Sequence, residues 1–460
     1  MKLFWAAFLF VIFSVKGFCA FEVQKYDWNG LEVHWLKNEG LPVFSGAFYF
    51  SDGTLGENDS NAGVTNMTFD LLKTGAKDLN QFQIANVLDK LAFSFSSQVG
   101  KEYSTLNFQG LLKEINPSME LFCQLYSSPT FPKAELQTAV NQTRAELENL
   151  AISPAGVADR AFGYYVYEGT PFGIPESGFL QSVNAMKQSD LLERWSELTG
   201  KVKKKLFLSG PEKILEIKDL LLKNCKLDEK NRSFERAQVV KEEKRLYKWK
   251  NLGKIIFIPI PNSNQVQIRI GRSVPYEHFA KNFDINTLST GILGSGFSSL
   301  LMKEVRTKRG LTYSIASYSS PRLTYGMSLI STFTKNETIQ EILDTIKVTL
   351  IDAQQNFKSE ELLANSKKFL KGRHLFRFDD SDKLVSTLIL YNHLGRPFTE
   401  LTSFAHNIDG ISIENVKSNL LELYPVDDMV TVLVGDEKVG RELKERLGTN
   451  LQLRDLKDIL

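Results

Sequence analysis

The chain has 460 residues, which is too long for one compact core, so two or more domains are expected. Hydrophobic residues make up 42% of it and charged residues 24%, as is ordinary for a globular protein. The formal net charge is only +2, and no basic tract with interleaved aromatic residues stands out. These features argue against a dedicated nucleic-acid-binding protein.

The N-terminal segment has the pattern of a secretory signal peptide. A lysine precedes an apolar run over residues 3–15, and the small residues Gly17 and Ala20 follow. The apolar run is too short to favour a permanent membrane span. We therefore expect residues 1–20 to be cleaved, the mature chain to have no stable membrane span, and its location to be periplasmic or secreted.

Strand-like segments open the mature chain at residues 31–36 and 43–50. A helical segment is predicted between Gly63 and Gly75, because apolar residues recur there at helical spacing. The residues with that spacing are Val64, Met67, Leu71 and Leu72. This apolar face is expected to pack against a sheet.

The mature chain keeps two cysteines, Cys123 and Cys225. So few cysteines in an exported chain of this length do not make a disulfide framework. Cys123 lies in an apolar helix-like run, 119–126, which favours a buried free thiol. A bridge between the two cysteines is left open.

The two halves of the chain repeat one another at a constant offset of 226 positions. Seven residues have an identical residue at that offset, which indicates duplicated domains. They are Phe131, Glu135, Leu136, Tyr165, Gly169, Pro171 and Phe172, matched by Phe357, Glu361, Leu362, Tyr391, Gly395, Pro397 and Phe398. The second half also opens with strand-like segments, at residues 254–260 and 265–270. We predict an N-terminal α+β domain over residues 21–228, a charged linker over 229–249, and a C-terminal α+β domain over 250–460.

A glycine-rich segment in the second half has several local signals. Gly291, Gly294 and Gly296 predict a turn, and a helix with one apolar face is predicted after it. The apolar positions of that helix are Phe297, Leu300, Leu301 and Val305. Gly310 stands where a helix needs a left-handed closing residue. Alternation over residues 311–318 then predicts a half-buried strand that carries Tyr313.

This segment closely resembles the C-terminal-domain signature of the pitrilysin/insulinase-type zinc peptidases, the inverted zincins. In that family an arginine and a tyrosine seven positions apart face the active-site cavity, and they match Arg306 and Tyr313. The glycine-rich turn resembles an element that handles substrate, although the same glycines can simply close a tight loop. The resemblance covers essentially the whole mature chain, and it implies two homologous domains, each a mainly antiparallel sheet backed by helices.

The zinc motif of that family is degenerate in this chain. Active members carry His-x-x-Glu-His in a glycine-bounded frame that matches residues 63–75. In register, Asn66 and Asp70 replace the two histidine ligands, Phe69 replaces the glutamate base, and Glu146 matches the third ligand. Asparagine is a poor zinc ligand, and phenylalanine cannot accept a proton from metal-bound water. None of the five histidines is four residues from another, so we expect no metal cofactor bound by this chain alone.

An arginine–tyrosine pair without a zinc motif implies a division of labour between subunits. Some family members resemble that arrangement, with zinc in one subunit and the arginine–tyrosine pair in its partner. We therefore expect a non-catalytic subunit of a heteromeric periplasmic zinc peptidase, which binds peptide and completes the site of a partner. That partner is expected to be a family member with His-x-x-Glu-His and to carry the zinc. The alternatives are a scaffold or peptide-binding pseudopeptidase with no role in proteolysis, and a metal enzyme that uses Asp70, Glu146 and a distant histidine.

Overall fold

The computed structural model describes residues 22–227, 229–230, 234 and 245–460. The predicted signal peptide lies outside these residues, as does most of the predicted linker. The described residues form two halves, each built on a six-stranded sheet with helices packed against it. The predicted fold class, α+β with two sheet-rich domains, is confirmed.

The first half contains eight strands and eight α-helices among its described residues. The strands are β1 (Val23–Trp28), β2 (Leu31–Lys37), β3 (Val43–Phe50), β4 (Gly75–Ala76), β5 (Leu79–Asn80), β6 (Ser94–Val99), β7 (Ser104–Leu111) and β8 (Lys204–Gly210). The helices are α1 (Val64–Asp70), α2 (Gln81–Leu91), α3 (Ile115–Ser127), α4 (Lys133–Ala151), α5 (Pro154–Val166), α6 (Leu180–Ala185), α7 (Gln188–Gly200) and α8 (Lys218–Asn224). The sheet order is β1-β2-β8-β3-β7-β6, with β2 and β8 parallel and the other neighbours antiparallel.

The second half has the same plan. Its strands are β9 (Ile255–Pro259), β10 (Gln265–Pro275), β11 (Ile315–Ser320), β12 (Tyr325–Lys335), β13 (Val430–Gly435) and β14 (Leu451–Leu453). Its α-helices are α9 (Tyr276–Gly294), α10 (Ile339–Gln355), α11 (Glu360–Leu375), α12 (Ser381–His393), α13 (Thr399–Asp409), α14 (Ile413–Leu423) and α15 (Glu437–Leu447), and a π-helix spans Met302–Thr307. The sheet order is β11-β12-β10-β13-β9-β14, which leaves β11 at one edge.

The two halves exchange one helix each. Helix α5 of the first half packs on β10 and β13 of the second sheet, and α12 of the second half packs on β3 and β8 of the first. The repeated tyrosines lie on these helices, with Tyr165 buried against the second sheet and Tyr391 against the first. Strand β3 is therefore buried on both faces, and its alternating residues belong to two different cores, Phe48 to one and Tyr49 to the other.

A buried carboxylate, Glu102, also joins the halves. Its Oε1 accepts hydrogen bonds from the Thr324 backbone N–H at 2.9 Å and from the Thr324 hydroxyl at 2.6 Å. Its Oε2 accepts from the Leu323 N–H at 2.6 Å and lies 2.8 Å from Nε2 of His393. Nδ1 of His393 lies 2.9 Å from the Tyr49 hydroxyl. This network ties the loop between β6 and β7 to the loop between β11 and β12.

The two cysteines form a disulfide, contrary to the free thiol that the sequence favoured. Cys123 in α3 and Cys225 just after α8 are both buried, and their Cα atoms are 4.5 Å apart. The apolar run around Cys123 predicted its burial correctly. Its partner is 102 residues away in sequence, and the pairing depends on the packing of α3 against α8.

Candidate functional site

Helix α1 carries the positions of the degenerate zinc motif. The N-terminus of this helix is held by Glu57, whose Oε2 accepts from the Gly63 N–H and Oε1 from the Thr65 N–H, each at 2.8 Å. A carboxylate at this end is favoured by the helix dipole and satisfies two otherwise free N–H groups. The predicted apolar face of the helix, including Val64 and Met67, is buried in the first core.

The polar zinc-motif positions are engaged in local hydrogen bonds. The Asn66 amide donates a hydrogen bond to Oδ2 of Asp70 at 3.0 Å, and the exposed Glu146 on α4 accepts one from Gln142 at 3.0 Å. Desolvation, together with the charge of Glu146 and against that of Lys73, raises the pKa of Asp70. Two carboxylates thus lie within electrostatic range of each other. In the described part of the chain no three His, Cys, Asp or Glu side chains are grouped to hold a metal.

Phe69 occupies the position of the catalytic base and belongs to the core. Its ring packs edge-on against Phe50, with centroids 5.6 Å apart, and against Trp195 at 5.8 Å. It is almost completely buried. The residues present therefore do not fit a catalytic zinc ion, because one ligand position is an amide and the base position is filled by an aromatic ring.

The glycine-rich segment differs from the prediction. Gly291 and Gly294 do not form a turn, because both lie in the last turn of α9. A side chain at Gly294 would come within 2.5 Å of the Ser317 backbone nitrogen, so this glycine lets α9 approach β11 closely. Only Gly296 of the three follows the helix, at a φ of 88° in the left-handed region that favours glycine.

The predicted helix after these glycines is shorter than expected. It contains the π-helix Met302–Thr307. Leu301, directly before that π-helix, and Val305, within it, are buried as predicted. Phe297 was predicted to lie on its apolar face, but it precedes the helix and is 80% exposed. Gly310 has a φ of 63° and closes the helix as predicted, with its N–H donating to the Arg306 carbonyl.

Arg306 and Tyr313 lie on either side of this glycine. The Arg306 guanidinium carbon is 5.3 Å from the centroid of the Phe297 ring, and Nη1 is 4.0 Å from the Met302 sulfur. Tyr313 is 79% exposed and precedes β11 rather than lying in it, because that strand starts at Ile315. Among the described residues, no ion pair holds Arg306 and no hydrogen bond joins its side chain to Tyr313. The structure therefore presents the two side chains to the surface without fixing them to each other.

Two exposed aromatic residues near this pair were not identified from the sequence as surface residues. Phe297 was placed on the apolar face of a predicted helix, and Tyr318, on edge strand β11, was treated only as part of the strand pattern. Both are exposed, as is Tyr313. The alternation of β11 contains the signal for Tyr318, since Ile315 and Ser317, on the opposite face of the strand, are buried.

Two family models match the chain. The model described as insulinase, peptidase family M16, matches residues 38–173, and the model described as the peptidase M16 inactive domain matches residues 190–369. The first match contains the degenerate zinc motif and Glu146. The second contains Arg306 and Tyr313.

Several bacterial proteins are similar to this chain over nearly their full length. The Helicobacter pylori protein named non-peptidase homolog YmxG is 20% identical over 442 residues, which cover 95% of this chain and 99% of the relative. The Bacillus subtilis protein named uncharacterized zinc protease YmxG is 19% identical over 415 residues, or 87% of this chain and 95% of the relative. A solved structure of a peptidase M16 inactive domain from Pseudomonas fluorescens has a TM-score of 0.80 at 22% identity, covering 90% of this chain and 98% of that chain. A solved Helicobacter pylori protease has a TM-score of 0.76 at 15% identity, covering 90% and 99%.

The paired α+β halves and the altered zinc motif define a metallopeptidase-like pseudoenzyme. The chain belongs to peptidase family M16, the pitrilysin/insulinase family. Among the helices of the described ranges, none has both the length and the apolar character that crossing a membrane requires.

Proposed function

We propose that this chain is an exported, non-catalytic subunit of a heteromeric zinc peptidase, and that it places Arg306 and Tyr313 in the active site of its partner. The partner is a family member with an intact His-x-x-Glu-His motif, and it carries the zinc. The substrate is a peptide that both subunits contact.

The contrast between the two half-sites is the observation that carries this proposal. At the zinc-motif positions, Phe69 is part of the core and Asn66 is paired with Asp70. At the other half-site, Tyr313 has most of its surface free, and Arg306 contacts an exposed ring rather than a carboxylate. The Tyr313 side chain is therefore available to a second molecule, whereas the ring at the base position of the first half-site is not.

The chemistry follows from the family resemblance. The Tyr313 hydroxyl donates a hydrogen bond to the scissile carbonyl oxygen as negative charge develops on it, and Arg306 orients the peptide. A donor aimed at developing charge contributes about 3 kcal/mol to the stability of a transition state, or about 10²-fold in rate. The partner supplies the metal-bound water and the base, which this chain lacks.

The disulfide supports the exported location. A buried Cys123–Cys225 bridge forms and persists in an oxidising compartment, such as a bacterial periplasm. The pattern of residues 1–20, typical of a signal peptide, points to the same compartment.

Purification of the tagged full chain from its own host, with mass spectrometry of what accompanies it, is the first test. Stoichiometric recovery of a His-x-x-Glu-His protein is the expected result. In that complex, Tyr313→Phe should lower kcat about 10²-fold without affecting assembly. Tyr318→Phe is the matched control, because it removes a hydroxyl from another exposed tyrosine of the same region and should leave kcat unchanged. An unchanged kcat in Tyr313→Phe refutes the role of this hydroxyl.

A scaffold or peptide-binding pseudopeptidase is the second candidate. It is supported by the name of the Helicobacter pylori relative, a non-peptidase homolog, since a relative of that kind keeps the fold without the activity. Under this alternative the chain is recovered alone or with unrelated proteins, and Arg306 and Tyr313 can both be replaced without an effect on any peptidase.

A further inference from the structure

A cavity of about 360 Å³ lies between the two halves, and two of its lining residues, Lys101 and Arg322, directly precede Glu102 and Leu323 in the sequence. Helix α5 and the segment that follows it form most of its wall, and Lys101 contributes from the loop between β6 and β7. The second half contributes Arg322 and Met327. A ligand in this cavity therefore contacts both halves of the molecule.

Three cationic side chains line the cavity. The Lys101 side chain is only 4% exposed, and its ammonium donates to the Ile174 carbonyl. The Arg160 guanidinium donates to the Ser177 hydroxyl at 3.0 Å and to the Gly178 carbonyl at 2.6 Å, and it also reaches a carbonyl near the end of the chain. These partners are neutral, so they satisfy hydrogen bonds without balancing the charges.

Arg322 is the third cation. Its guanidinium carbon lies 5.6 Å from the centroid of the Tyr167 ring, which lines the same cavity. Its Nη1 is buried and has no hydrogen-bond partner among the described residues. A buried guanidinium N–H without an acceptor costs about 1–3 kcal/mol or more, so an acceptor in the cavity is favoured.

The carboxylates of the cavity do not balance these cations. Asp159 is engaged by Arg269, which lies outside the lining, with Nε 2.5 Å from Oδ1. Glu176 is 42% exposed and stands 3.6 Å from the Lys101 ammonium. Among the lining residues, Glu176 is therefore the one carboxylate that faces the three cations, and Glu57, outside the lining, also attracts Lys101.

The pKa shifts of Lys101 and Arg160 agree with this excess of positive charge. Burial lowers the pKa of Lys101; the attraction of Glu176 and of Glu57 opposes that effect without cancelling it, and the repulsion of Arg322 adds to it. Burial also lowers the pKa of Arg160 to about 10, against the attraction of Glu176. Nearby carboxylates do not fully offset the cost of burying the charged Lys101 and Arg160 side chains. A bound anion would reduce that cost.

We propose that this cavity binds a small molecule through an oxyanion, either a carboxylate or a phosphate group, held by Lys101 and Arg322. The rest of the ligand contacts the apolar and aromatic part of the lining. That part consists of Leu150, Tyr164, Tyr167, Phe172 and Met327. The volume is at the small end of ligand pockets, which favours a compact molecule over a folded peptide.

The site is independent of the proposed peptidase role, and its test needs no partner subunit. Thermal unfolding and isothermal titration of the full chain are measured with inorganic phosphate and, separately, with benzoate, at ionic strength matched by sodium chloride. A rise in melting temperature with saturable binding is expected, because a ligand that binds only the folded state stabilises it. A response to phosphate alone identifies a phosphate-bearing ligand, and a response to benzoate identifies a carboxylate.

Variants separate this site from general anion effects. Arg322→Gln should weaken binding by about tenfold or more, since it removes a charge-assisted hydrogen bond. Arg373→Gln removes the same charge from an exposed position on α11 outside the lining and should bind as the wild type does. Lys101→Met provides a second cavity variant if Arg322→Gln does not fold. Absence of saturable binding to both anions in the wild type, or equal affinities in the cavity variants and Arg373→Gln, overturns the proposal.

Discussion

The hydrogen bonds of Glu102 with Leu323, Thr324 and His393 join the two halves, and we predict that they make a large contribution to the free energy of unfolding. The perturbation is Glu102→Gln, which keeps the shape of the side chain but replaces one acceptor oxygen with an NH₂ donor. In the native protein each carboxylate oxygen has two hydrogen-bonding groups next to it. These are the backbone N–H and the hydroxyl of Thr324 at Oε1, and the Leu323 N–H and His393 Nε2 at Oε2. Whichever oxygen is replaced, its neighbours lose an acceptor and face a donor.

The magnitude follows from this count. Two buried donors without an acceptor cost about 1–3 kcal/mol each, or about 2–6 kcal/mol together. We therefore expect Glu102→Gln to lower the free energy of unfolding by about 2–6 kcal/mol. Equilibrium unfolding in urea, followed by far-UV circular dichroism, measures this change.

The pH dependence gives a second readout of the same prediction. Burial raises the pKa of Glu102, but hydrogen bonds from His393, Thr324 and Leu323 outweigh it and hold the pKa below the usual value of 4.5. A carboxyl with a lowered folded-state pKa contributes stability above the unfolded-state pKa and loses it as the pH falls through the folded-state value. The difference between wild type and Glu102→Gln should therefore be largest above pH 4.5 and shrink in more acidic solution.

The control is Glu442→Gln, which neutralises an exposed carboxylate 3.9 Å from the Lys438 ammonium. A surface pair of this kind contributes about 0–1 kcal/mol, so the variant should unfold nearly as the wild type does. If Glu102→Gln loses no more stability than Glu442→Gln, the network does not join the halves as described.

Two further predictions concern the first half. Replacing both Cys123 and Cys225 with alanine removes a cross-link between residues separated by 102 positions, which should cost about 4–5 kcal/mol in urea unfolding; equal stability of the variant and the oxidised wild type would contradict this. Phe69→Ala should cost about 3–5 kcal/mol because Phe69 is part of the core, whereas Asn66→Ala, on the same helix, should change the unfolding free energy by only about 0.5 kcal/mol. Equal small effects of the two variants would show that Phe69 does not contribute to the core.

Features that depend on local sterics were predictable from the sequence. Strands β2, β3, β9 and β10 follow from short apolar or alternating runs, and Gly310 follows from the need for a left-handed residue at a helix end. The boundaries around Tyr313 were less predictable. Periodicity alone did not show that the helix starts after Phe297 or that the strand starts only at Ile315.

Contacts between distant residues could not be predicted. Glu102 and His393 are 291 positions apart, and neither has a local pattern that marks it. The Cys123–Cys225 bridge was left open for the same reason. The cavity likewise combines Lys101 with Arg322, which meet only because the two halves are packed together. The repeat at an offset of 226 positions was visible in the sequence, but the exchange of α5 and α12 between the sheets was not.

Phe69, Tyr313 and Arg322 differ in whether their contribution to folding stability explains why they are present. Packing accounts for Phe69, because an aromatic ring replaces a polar group and fills the core between Phe50 and Trp195. Packing does not account for Tyr313, whose ring is mostly in solvent, or for the buried Nη1 of Arg322, which lacks an acceptor. Replacing either side chain with one that suits its surroundings would stabilise the isolated chain or leave it unchanged. The reasons for these two residues are therefore to be sought in other molecules, a peptidase partner for Tyr313 and a small anion for Arg322.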